Sequence, residues 1–140
     1  MVAVITDQVI FSSQILYLFM QKPIVTALLS YGMSGKLFHG PFVHVHPGFH
    51  FKGVLEHNTK KVNADYPDVK SYDTLDEVLN DSEIELVIVN TPSNTHVDYS
   101  RRALMAGKDI LVEKPFAPTQ AEAKEIFDLG RKLNRKVMVY

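Results

Sequence analysis

A chain that carries Ile24-Val25-Thr26-Ala27-Leu28-Leu29-Ser30-Tyr31-Gly32-Met33-Ser34-Gly35-Lys36 has few folds open to it. From Ile24 to Ser30 no residue is charged, and apolar or β-branched side chains dominate. A strand of that kind is covered on both faces, which is the habit of parallel sheets flanked by helices. Gly32 and Gly35 follow in a turn, and Lys36 begins a helix. The spacing gives strand, glycine turn and helix in immediate succession. Gly32 lets a phosphate approach the backbone closely, and Gly35 lets the helix pack tightly on the strand. The amides of the first helical turn are free donors at the positive end of the helix dipole. Ser30, Tyr31, Gly32, Met33, Ser34 and Gly35 are therefore candidates for holding a pyrophosphate. In the pattern G-x-G-x-x-G the first glycine falls on Ser30, so the match is incomplete. A serine serves there if the residue does not need φ > 0.

The rest of the chain repeats the alternation. A short helix is expected over Lys36 to Val43, closed around Pro41-Phe42, with a turn at Pro47-Gly48. Phe49 to Leu55 reads as the second strand and ends on Glu56. A third strand covers Val69 to Tyr72. Thr74-Leu75-Asp76-Glu77 has the spacing of a capping box ahead of a helix. Glu85 to Asn90 is a buried strand. His96 to Ala106 is a helix stopped by Gly107, and Asp109 to Val112 is the next strand. Thr119-Gln120-Ala121-Glu122 is a second capping box, and Val137 to Tyr140 is a last strand. About six strands alternating with helices give an α/β fold. The expected form is a three-layer, Rossmann-type doubly wound parallel sheet.

Length and composition limit the function classes. The 140 residues suit one domain, and 46% hydrophobic with 22% charged residues supports a packed core. A net charge of -1 gives no reason to expect nucleic acid or an anionic membrane as partner. No cysteine is present, which excludes disulfides and thiolate catalysis and agrees with a cytoplasmic location. Residues 1–22 read differently from the rest. Met1 to Gln21 hold one charge, Asp7, and an apolar run too short to span a bilayer. They lack the basic front and small-residue cleavage site of a signal peptide. Three readings stay open for this extension: an uncleaved interfacial helix, an added strand or helix on the core, or sequence upstream of a natural start near Met20, the favoured one; the domain is expected to cover residues 23–140. His44-Val45-His46 has no third ligand beside it, so no metal site is expected.

Candidate site residues beyond the turn follow from where parallel strands end. Glu56 lies about two dozen residues after Gly32, the place of an acidic residue that accepts from the adenine-ribose hydroxyls. His57-Asn58-Thr59-Lys60-Lys61 comes next. Its cations either form a solvated helix start or receive a 2′-phosphate, which leaves NAD and NADP both open. The polar loop Thr91-Pro92-Ser93-Asn94-Thr95-His96 falls beside the glycine turn. Pro92 fixes its shape, and Thr91, Asn94 and His96 either bond a ribose or phosphate or cap the loop locally.

These stretches resemble one family. Tyr31 to Phe42, Asn90-Thr91-Pro92-Ser93-Asn94-Thr95-His96, Ala106-Gly107-Lys108 and Glu113-Lys114-Pro115 occur in the order seen in the Gfo/Idh/MocA family of NAD(P)-dependent oxidoreductases. The resemblance covers Pro23 to Tyr140. It implies hydride transfer between NAD or NADP and a sugar, polyol or related hydroxyl compound. It implies that Asn90 and Glu113 belong to the cofactor site. It implies that Lys114 is catalytic, polarising the reacting oxygen or relaying its proton, and that Pro115 follows a cis peptide. It also implies a C-terminal α/β substrate domain, which supplies the pocket, a catalytic histidine and most of a dimer interface. That domain is expected to be absent here, so this chain alone is expected to bind cofactor without turnover. The uncovered surface is expected to favour self-association. Two further readings are a non-catalytic dinucleotide-binding sensor or regulatory module, which would not need Lys114, and an inactive gene fragment.

Overall fold

The structure is a computed structural model, and it describes residues 22–140. The expected extension, apart from Lys22, lies outside the described residues. Six strands form one sheet: β1 Ile24–Leu28, β2 Phe49–Leu55, β3 Lys70–Tyr72, β4 Leu86–Val89, β5 Asp109–Val112 and β6 Val137–Val139. Every pairing is parallel, in the order β3-β2-β1-β4-β5-β6. This is the doubly wound arrangement, in which the strand order reverses beside β1.

Both faces of the sheet are covered, and the side-chain alternation of β1 shows it. Val25, Ala27 and Leu29 join one core with Val87, Val89, Ala103, Leu104 and Ile126. Leu28 joins the other, with Val43, Val54, Val62 and Ile88. Successive strand residues feeding two cores explains why these strands read as unbroken apolar runs. The helices that supply the covers are α1 Gly40–Val45, α2 Val62–Asp65, α3 Leu75–Asn80, α4 His96–Met105 and α5 Gln120–Lys132. Both expected caps form. Thr74 Oγ1 accepts from the Glu77 amide, and Thr119 Oγ1 from the Glu122 amide, each at 3.2 Å.

The first helix departs from expectation. It opens with a π-helical turn, Gly35–His39, that runs straight into α1, and it continues past Pro41 to Val45. The Gly40 amide donates to the Gly35 carbonyl, five residues back. Proline in a regular helix clashes with the carbonyl four residues before it. A widened turn just ahead of Pro41 relieves that clash, so the helix does not close there.

Candidate dinucleotide cleft

All six strands point the same way, so the segments after β1, β2, β4 and β5 meet at one edge of the sheet. The turn after β1 is shaped by Ser30. Its Oγ accepts from the Gly32 amide at 3.1 Å, and its carbonyl accepts from Asn90 Nδ2 at 2.9 Å. Ser30 is not among the positive-φ residues, so serine fits the place of the missing glycine. Gly35 is required by packing, because a Cβ there would stand 2.2 Å from the Ser30 carbonyl oxygen. Gly32 is exposed, and among the described residues a Cβ there would meet only Ser30 Oγ, at an ordinary 3.4 Å. The Lys36 amide closes the first helical bond onto the Gly32 carbonyl. The amides of Met33, Ser34 and Gly35 have no hydrogen-bond partner among the described residues. The turn therefore offers donors and open backbone together, which fits a pyrophosphate. Tyr31 turns away to Asp65, donating to Oδ2 at 2.8 Å, while Lys36 Nζ pairs with the same oxygen at 2.9 Å. Lys36 first and Tyr31 second hold the Asp65 carboxyl below its usual range, and burial first and Asp65 second push the Tyr31 phenol up.

A cleft of ≈ 290 Å³ opens between the ends of β1, β2 and β4, with Ser30, Gly32, Glu56, Lys61 and Thr91 in its walls. Glu56 stands where expected, but its carboxylate serves the loop behind it. Its oxygens accept from the Lys61 amide at 2.8 Å, the Ser71 hydroxyl at 2.8 Å and the Val62 amide at 3.4 Å. It thereby caps the start of α2 and is 6% exposed.

The loop after β4 is likewise divided between lining and support. Thr91 and Pro92 line the cleft, and Thr91 Oγ1 bonds Thr95 Oγ1 at 2.6 Å. Asn94 is exposed in the 3₁₀ turn Ser93–Thr95 and is not part of the cleft wall. Asn90 ties β4 to the glycine turn, and its Oδ1 is buried without a partner among the described residues. His96 is redirected: at 1% exposure, its Nε2 meets the Thr91 carbonyl at 2.8 Å and its Nδ1 the Pro115 carbonyl at 2.9 Å. It joins the β4 and β5 loops and leaves no ring nitrogen for a ligand. After β5, Lys114 is exposed and precedes a cis peptide to Pro115. Glu113 faces inward, at 2.8 Å from His39 Nε2 in the π-helical turn. The supporting partners Asp65 and Ser71 lie outside every motif stretch, and His39 lies inside the Tyr31 to Phe42 stretch without being singled out by it. Their roles arise from pairings such as His39 with Glu113 that span long stretches of chain.

The comparisons with known proteins agree with this geometry. A family model described as an oxidoreductase family with NAD-binding Rossmann fold matches residues 24–140. An uncharacterized oxidoreductase of Schizosaccharomyces pombe is 45% identical over 124 residues, covering 84% of this chain and 33% of the relative. A protein of Bacillus subtilis named scyllo-inositol 2-dehydrogenase (NADP(+)) is 37% identical over 103 residues, 74% of this chain and 29% of that protein. The crystal structure of an oxidoreductase from Bacillus cereus superposes with a TM-score of 0.80 at 32% identity, covering 84% of this chain and 34% of that one. The chain thus spans about a third of the length of these relatives. Over residues 24–140 the chain belongs to the Gfo/Idh/MocA oxidoreductase family and carries its NAD-binding Rossmann domain.

Proposed function

We propose that this chain is the nucleotide-binding part of an oxidoreductase that moves a hydride between NAD(P) and a sugar, polyol or related hydroxyl compound. The observation that carries the reading is Gly32, whose small size no contact among the described residues requires. It borders a cleft at the reversal point of the sheet, beside unpaired helix amides. In our assignment the backbone from Ser30 to Gly35 holds the pyrophosphate. Thr91 and Pro92 border the cofactor, and Asn90 and His96 fix the loops around it. Glu113, held by His39, sets the start of the Lys114 segment. When bound, the dinucleotide supplies or accepts the hydride at its nicotinamide. Lys114, exposed at the carboxyl end of β5, is assigned to donate to the reacting oxygen, polarising it or relaying its proton. The polyol class draws support from the inositol dehydrogenase among the relatives.

The test is a chimera in which residues 24–140 replace the matching segment of the Bacillus subtilis scyllo-inositol 2-dehydrogenase. We expect turnover of the inositol, and a loss of about a hundredfold or more with Lys114→Ala. Equal rates for the two would remove Lys114 from the chemistry. Cofactor binding without turnover in the chimera would favour the sensor reading.

A further inference from the structure

We infer that His39 is a positioning residue that couples the turn after β1 to Lys114: through Glu113 it passes the filling of that turn by an anion to the Lys114 segment and steadies it. The inference rests on the dinucleotide reading above and deepens it. Lys114 is exposed, and a lysine stem is flexible, so its place is set by the backbone that carries it. That backbone is tied on both sides by a buried histidine. Before Lys114, Glu113 Oε1 lies 2.8 Å from His39 Nε2. After it, the Pro115 carbonyl lies 2.9 Å from His96 Nδ1. The two histidines lead to different places. The other nitrogen of His96 meets the Thr91 carbonyl, so that tie runs to the loop after β4. His39 closes the π-helical turn that begins at Gly35, and so reaches back to the amides of Met33, Ser34 and Gly35.

The pair is built to hold its geometry. The His39 and Glu113 side chains are 5% and 12% exposed, so either one left alone would be a buried polar group without its partner. The Tyr140 ring stands edge-on to the His39 ring, with centroids 4.7 Å apart. The Glu113 amide donates to the Val89 carbonyl at 3.0 Å, so backbone and side chain of that residue are both fixed. A widened turn of the kind that His39 closes recurs at functional sites. An anion on the amides of Met33, Ser34 and Gly35 restrains the start of that turn. The restraint passes along one helical turn to His39, across a buried hydrogen bond to Glu113, and to Lys114 as the next residue. Coupling between separate groups is carried by contiguous contacts of this sort. Filling the turn then lowers the ordering cost that remains at Lys114.

The test uses the full chain and ADP, which carries the diphosphate but no nicotinamide or second ribose to touch Lys114. Calorimetry sets a saturating ADP concentration for each variant. Lysines are then acetylated with N-hydroxysuccinimide acetate, with and without ADP, and the rate at each lysine is read by mass spectrometry. We expect ADP to slow labelling of Lys114 by about threefold or more, and to leave the exposed Lys132 on α5 unchanged. In His39→Ala and in Glu113→Ala, ADP should still bind and the slowing at Lys114 should vanish, with no further loss when the two are combined. His39→Gln keeps a nitrogen donor for Glu113 and should restore most of the slowing. Glu113→Ala cuts the same link from the other side, so a His39→Ala chain that fails to fold leaves the test in place. Equal slowing in the parent chain and in the alanine variants overturns the inference, since ADP would then shield Lys114 directly. Bound ADP with no change at Lys114 in the parent chain also overturns it and leaves the dinucleotide reading standing. Binding of neither ADP nor NADH by the folded parent chain overturns the dinucleotide reading, and the coupling with it.

Discussion

Gly32 and Gly35 sit three positions apart and answer to different demands. Neither has a positive φ; Gly107, closing α4 with φ 76°, is the glycine that does. At Gly35 the obstacle is a backbone carbonyl at 2.2 Å, which cannot swing aside. Gly35→Ala should therefore cost about 1–3 kcal/mol in urea unfolding, the scale of overpacking. Gly32→Ala should shift stability by less than about 0.5 kcal/mol, as a surface change does, yet weaken dinucleotide binding clearly. Comparable destabilisation by both would mean that Gly32 serves the fold and not a ligand. The two glycines were legible because their spacing alone places them on the turn. Glu56 and His96 were legible in position and not in direction. The donors that turn Glu56 inward include Ser71, and the acceptors that take up His96 include Pro115. No local pattern brings such partners together; only the closed sheet does.

The short elements on the β2–β3 side are joined by polar pairs as well as by apolar area. The Tyr72 hydroxyl, at the end of β3, donates to Asp81 Oδ2 at 2.6 Å just beyond α3. That bond is the chief cause holding the Asp81 carboxyl below its usual range, while burial first and Asp81 second push the Tyr72 phenol well above its own. The two signs act at opposite ends of the pH scale. Asp81 is lowered on folding, so its contribution is present above the unfolded aspartate value of about 3.9 and is lost as pH falls through the folded one. Tyr72 is raised, so its contribution is present below about 10 and is lost as pH rises through the folded value. Tyr72→Phe should cost about 1 kcal/mol at neutral pH and flatten both limbs of the stability curve. An unchanged acid limb, measured by urea midpoints across pH, would detach Asp81 from Tyr72. Element boundaries show the same division of what sequence reveals. The capping boxes were readable because their partners lie three residues apart. The π-helical turn was not, because Pro41 reads locally as a stop and the widened turn ahead of it has no residue signature.

At the scale of the whole molecule the two edges of the sheet are finished differently. At the amino edge polar groups are closed onto the protein. Lys108, 5% exposed, donates to the Asp81 carbonyl at 2.7 Å and the Ile84 carbonyl at 2.9 Å, with its pKa lowered by burial. The Val25 amide meets Glu85 Oε2 at 3.0 Å. At the carboxyl edge, helix amides and the Lys61 and Lys114 side chains are left toward solvent, while Glu56, Asn90, His96 and Glu113 bind the loops to one another. An edge that is rigid behind and open in front is pre-organised, so a ligand there should add protection without rearranging the fold. Saturating dinucleotide, at a hundredfold excess over Kd, should raise stability by about 2.7 kcal/mol. In hydrogen exchange the slowing should concentrate at residues 30–36, 56–61 and 90–95 and be weak around Lys108. Slowing spread evenly over both edges would indicate global tightening instead of an edge site. Slowing centred on the separate cavity of ≈ 310 Å³ walled by His44, His50 and Tyr66 would move the binding site to the other side of α1 and β2. Protection confined to the three carboxyl-edge loops would tie the open backbone at Gly32 and the exposed Lys61 to one bound molecule.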